Sequence, residues 1–144
     1  MAFSGNYMCT SFKQELLQGV HNLTNGSGNS FKMALYTNSA SFNAATTAYT
    51  TSNEVTGTGY LAGGNVLTNV TPTNSGTTAF AEFGDRNWPT STITARGALI
   101  YNNTASCDPT LLVLDFGSDK SSSSGDFSVV MPTYNATSAL IRIA

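Results

Sequence analysis

Apolar residues recur along this chain with two different periods. Over residues 11–23, SFKQELLQGVHNL, the spacing of Phe12, Leu16, Val20 and Leu23 at i, i+4, i+8 and i+11, widened by Leu17, predicts one amphipathic helix. Ser11 followed by Gln14 fits a capping box at its start, and Asn25-Gly26 supplies the stop. From residue 31 the period falls to two: in FKMALYT, Phe31, Met33 and Leu35 share one face of a half-buried strand, with Lys32 and Tyr36 on the other. Further strands are predicted at 66–71, 77–83, 91–102, 110–116, 126–132 and 138–143. The pattern predicts a mainly β fold, an antiparallel, jelly-roll-like β-sandwich of about seven to eight strands over residues 31–143, preceded by one N-terminal α-helix. A single domain spanning 1–144 is enough to hold it.

Two polar stretches interrupt the strands. The first, 38–65, exceeds the ordinary loop length of about 12–15 residues and is expected to serve as a contact surface. The second, GSDKSSSSGD (117–126), reads as a hairpin whose tip is Ser121–Ser124, with Asp119 and Asp126 capping the turn.

Composition narrows the function classes. Only 10% of the residues are charged, against about 25% in ordinary domains. Ser, Thr and Asn, more than a third of the chain, provide the wet surface instead. Six cations, Lys13, Lys32, Arg86, Arg96, Lys120 and Arg142, are scattered singly and the net charge is -2, so no nucleic-acid partner is expected. Cys9 and Cys107 stand far apart without a CxxC and with a single histidine, which argues against a zinc site and for two free thiols. The segment MAFSGNYMCT lacks the charge and apolar pattern of a signal peptide, and no run of about 18 apolar residues occurs, so no membrane is expected and synthesis is placed in a cytoplasm.

Each candidate chemistry meets an ordinary structural reading. His21 falls in the predicted helix, where a packing or surface role accounts for it. Asp115, Asp119 and Asp126 could form a carboxylate pair or a calcium cluster, but turn capping explains them and the alternating calcium-loop spacing is missing. Gly57-Thr58-Gly59-Tyr60-Leu61-Ala62 matches GxGxxA, yet strand-like residues follow where a nucleotide site needs a helix. Tyr60 and Trp88 could stack on a sugar, although most aromatics alternate with polar residues as core positions do. No enzyme, catalytic residue, metal or cofactor is expected.

Four stretches, CTSFKQELLQGVHNL (9–23), FKMALYTNSASFNAATTAYTTSNEVTGTGYLAGGNVLT (31–68), ITARGALIYN (93–102) and VLDFGSDKSSSSGDF (113–127), resemble a family of small virion structural proteins of tailed bacteriophages and prophages. The resemblance runs from Cys9 to Ala144. It implies a place on the virion and, by analogy with decoration and cement proteins, a homo-oligomer, a trimer by preference, that bridges major capsid proteins. Phe12, Leu16, Val20, Tyr49, Glu54 and Tyr60 are the expected assembly contacts. The competing expectation is a tail- or fibre-associated module that binds host surface glycan.

Overall fold

The structure is a computed structural model that describes residues 3–144. Strands make up 44% of the chain and helix 6%, and every sheet is antiparallel, in a sandwich-like arrangement. One sheet runs β1-β8-β7-β2-β3, where β1 is Tyr7–Met8, β2 Phe31–Tyr36, β3 Asn65–Val66, β7 Thr94–Asn102 and β8 Thr110–Ser121. A second runs β10-β5-β4, from β4 (Asn69–Ser75), β5 (Thr78–Phe83) and β10 (Ile141–Ile143). A two-stranded ribbon pairs β6 (Arg86–Ser91) with β9 (Gly125–Val129). The described residues thus hold ten strands against the seven to eight expected. The added ones are the two-residue strands β1 and β3, the latter split from β4, and β6.

The single helix, α1, spans Thr10–Leu17 and is shorter than expected. Gly19 takes φ +73 directly after the C-cap Gln18, a left-handed turn that ends the helix before Val20. Its N-cap is Cys9 without a side-chain bond, so the predicted capping box does not form. Ser11 lies inside the first turn, and its buried hydroxyl has no partner.

β2 corrects the expectation of a half-buried strand. Phe31, Met33, Ala34, Leu35 and Tyr36 are all fully buried, so both faces are covered. On one face the Phe31 ring lies 5.4 Å from that of Phe83 on β5, which joins the two sheets. On the other, Tyr36 packs edge-on against Phe42 with ring centroids 4.7 Å apart, and Tyr101 of β7 stacks on Tyr49 at 4.6 Å. Residues 38–65 supply that cover. They form a packed layer over the five-stranded sheet rather than a free contact loop, because a sheet this apolar needs both faces shielded from water.

The segment 117–126 is also not a hairpin. β8 continues to Ser121 and pairs with β7, whereas β9 pairs with β6, so Ser122–Ser124 carries the chain from one sheet to another.

Candidate functional site

Two polar clusters hold the expected site residues. In the first, Glu54, itself part of the covering layer, is buried. Its Oε1 accepts from the Tyr60 hydroxyl at 2.6 Å and the Gly63 N–H at 2.7 Å, and its Oε2 accepts from the Tyr49 hydroxyl at 2.7 Å. The Tyr60 oxygen itself accepts from the Leu35 N–H at 2.9 Å, which directs its hydrogen to Glu54. Tyr36 donates to the Thr50 carbonyl, and Tyr101 to the Gly63 carbonyl. Burial pushes the Tyr36, Tyr49, Tyr60 and Tyr101 phenols well above the ordinary tyrosine range, and the Glu54 carboxyl raises them further. These groups fasten residues 49–63 to β2 and β7. Gly64 allows the close approach: at φ +73, a Cβ there would stand 1.8 Å from the Met33 carbonyl oxygen.

The second cluster joins α1 to β7. His21 Nε2 lies 2.6 Å from Glu15 Oε2, and its Nδ1 lies 3.0 Å from Asn102 Nδ2. Asn102 also donates to Asn29 Oδ1, which in turn accepts from the Asn22 N–H. The His21 ring sits edge-on to Phe12, 5.1 Å away. With both ring nitrogens engaged by the chain's own groups, His21 has no free nitrogen to take a proton from a substrate.

The six expected assembly contacts therefore divide. Phe12, Glu54 and Tyr60 are buried in the chain's own interior, which corrects their assignment as surface contacts. Tyr49 is half-buried and spends its hydroxyl on Glu54. Leu16 is half-buried, and Val20, beyond the end of the helix, is exposed. Trp88 is only 1% exposed, so neither it nor Tyr60 offers a sugar-stacking face.

The three aspartates do not converge on a cap. Asp115 accepts from Arg96 Nε at 3.2 Å and from the Gly117 N–H, while Asp119 accepts from Asn38. Among the described residues, no group of three His, Cys, Asp or Glu side chains is placed to hold a metal ion. Cys9 and Cys107 are free thiols, the first buried and the second exposed. Burial raises the Cys9 thiol and so lowers its reactivity.

Asn29 and Asn102 were not singled out from the sequence. In a chain so rich in asparagine, nothing local separates a buried, bridging amide from a turn residue.

Of several depressions open to solvent among the described residues, two have phenylalanine in their lining. One, of about 440 Å³, lies between β8 and β9 and is lined by Phe116, Lys120, Asp126 and Phe127 among others. The other, of about 340 Å³, is an apolar groove between residues 16–24 and the β10-β5-β4 sheet. No described helix is long and apolar enough to cross a membrane.

Comparison with known proteins returns no match: no family model, no curated protein and no solved structure is significantly similar to this chain.

Proposed function

We propose that this chain is a virion structural protein of a tailed phage, a capsid decoration or cement protein that stabilises the head by bridging major capsid proteins. The resemblance of the four stretches supplies the particle. The observation that carries the structural role is how the polar chemistry is used: the buried carboxylate of Glu54 and both nitrogens of His21 are bonded within the chain. What faces outward is mostly uncharged polar side chains, with a few scattered charges such as Lys13, Asp85 and Lys120 and apolar side chains such as Leu17, Leu61 and Val130. Such a surface binds by area and repetition rather than by a reactive site.

Copy number tests this reading. Quantitative mass spectrometry of purified virions should find the chain at an abundance near that of the major capsid protein. Tens of copies per particle would place it on the tail, and its absence from virions would end the proposal.

The glycan-binding alternative keeps one observation in its favour. In the cleft between β8 and β9, the half-buried Phe116 lies 6.2 Å from Phe127, with Lys120 and Asp126 beside them. An aromatic floor with polar walls suits a saccharide. Binding to a glycan array that is lost in Phe116→Ala would favour a tail-associated module.

A further inference from the structure

Asn25-Gly26, the one Asn-Gly pair of the sequence, does not stop α1, which ends at Leu17. It forms instead the crown of a tight loop over residues 22–29. The Gly28 N–H donates to the Thr24 carbonyl at 2.9 Å and the Asn29 N–H to the Asn22 carbonyl at 2.8 Å, which fixes both legs of the loop. Asn69 Nδ2 donates to the Thr24 and Asn29 carbonyls and ties those legs to β4. Nothing is slack there, since a Cβ on Gly28 would stand 2.3 Å from the Thr24 carbonyl oxygen. The crown is different: Asn25, Gly26 and Ser27 are exposed, and Gly26 takes φ +85 with open space around it. Asn25 bonds Thr71 Oγ1 through its backbone N–H, but among the described residues neither its side-chain amide nor the Gly26 N–H has a partner. Two Asn-Ser pairs lack that freedom. At Asn29-Ser30 the side-chain oxygen accepts from Asn22 and Asn102, and the Ser30 N–H is bound to Thr104 Oγ1. At Asn38-Ser39 the amide donates to Asp119, and the Ser39 N–H to Thr37 Oγ1.

We propose that Asn25-Gly26 is a site of spontaneous deamidation, and that its isoaspartyl product loosens the polar cluster around His21. Hydroxide takes the Gly26 amide proton, and the nitrogen attacks Asn25 Cγ. The N–Cγ bond forms, the Cγ–Nδ2 bond breaks, and the leaving nitrogen takes a proton from water and departs as ammonia. A water molecule then opens the cyclic imide. Cleavage at Cγ gives aspartate, whereas cleavage at the main-chain carbonyl gives isoaspartate, with the former Asn25 Cβ now part of the backbone. Gly26 favours the attack because it has no side chain to crowd its nitrogen or restrict its dihedrals. The extra main-chain atom falls between Thr24 and Gly28, where the fixed legs leave no room for it, so the Thr24–Gly28 bond is lost. Asn29, on the second leg, supplies the acceptor for Asn102, which in turn donates to His21 Nδ1. A change at the exposed crown therefore reaches a buried histidine. The proposal does not depend on the chain being a capsid protein.

Ageing of the purified full chain at mildly alkaline pH, followed by peptide mapping with isoaspartate-resolving mass spectrometry, tests the site. The expected result is isoaspartate at position 25, formed at least tenfold faster than any change at Asn29 or Asn38. Nitrogen-correlated spectra of the aged fraction should show the His21 ring signals shifted from those of fresh protein. Asn25→Gln, at an exposed position, should age with neither change. Freshly made Asn25→Asp carries the new charge without the extra backbone atom, and its His21 signals should match those of the unaltered chain. Position 25 remaining an amide, or converting no faster than Asn29, would overturn the site. Isoaspartate that leaves the His21 signals in place, or a shift already present in fresh Asn25→Asp, would overturn the coupling through the backbone.

Discussion

The side-chain amide of Asn102 donates to Nδ1 of His21, and the direction of that bond is fixed from behind. Asn102 Oδ1 accepts from the backbone N–H groups of Thr104 at 2.9 Å and Ala105 at 3.1 Å, so the nitrogen end of the amide must face the ring. His21 therefore carries its hydrogen on Nε2, toward Glu15. Long-range proton–nitrogen correlation spectra should show the Nε2–H tautomer in the folded protein. Asn102→Asp, which offers Nδ1 an acceptor, should move the ring to the doubly protonated form. An Nδ1–H tautomer in the unaltered protein would contradict this assignment.

Removing the Tyr60 hydroxyl should be costly. Tyr60→Phe strips one donor from buried Glu54 and leaves the Leu35 N–H without its acceptor. Buried unsatisfied groups cost about 1–3 kcal/mol each, more when charged, so the variant should lose about 2–5 kcal/mol in chemical denaturation. A loss below about 1 kcal/mol would mean that the cluster does not hold the covering layer.

The same phenols predict an alkaline limit. Their folded-state ionisation lies above the unfolded value of about 10, so below that pH both states are neutral and stability is unaffected. As pH rises past about 10 the unfolded chain ionises first, and stability falls. Phenolate absorbance from Tyr36, Tyr49, Tyr60 and Tyr101 should therefore appear together with the loss of β structure. Smooth titration of all six tyrosines near pH 10 in a chain that stays folded would contradict it.

Ser11 separates the sequence reading of the helix start from the observed one. A capping serine replaced by alanine costs about 0.5–2 kcal/mol. Here the hydroxyl is buried without a partner, so Ser11→Ala should be neutral or stabilising by up to about 1 kcal/mol. Thermal unfolding of the two proteins decides the sign.

Much of the architecture was legible because alternation survives wherever a strand has one wet face. The start of β7, with Thr94 exposed and Ala95 buried, is such a case. β6 was not, since Arg86, Asn87 and Pro89 break the apolar pattern around the buried Trp88; the ladder slips between Trp88 and Ser91 with Thr90 at φ +48. The helix was overextended because Val20 and Leu23 continue its spacing by coincidence after the turn at Gly19. The serine-rich segment had every local mark of a hairpin, but partners far away in sequence decide which strands pair. The site residues follow the same division. Tyr49, Glu54 and Tyr60 were expected as surface contacts, and their mutual bonding was not foreseen, because sequence does not show which partners lie above a polar side chain.

The pairing of Tyr7 and Met8 with Val113 and Leu112 bears on the order of folding during synthesis. The Cys9 N–H bonds the Leu111 carbonyl, and Asn6 Oδ1 accepts from the Asp115 N–H, so the N-terminal strand and the start of α1 have docking sites more than a hundred residues downstream. Until the ribosome has released β8, the first part of the chain must wait unpaired. Closing such long loops makes folding slow, so the nascent chain carries unpaired apolar strand until β8 has been made and completes its largest sheet only then.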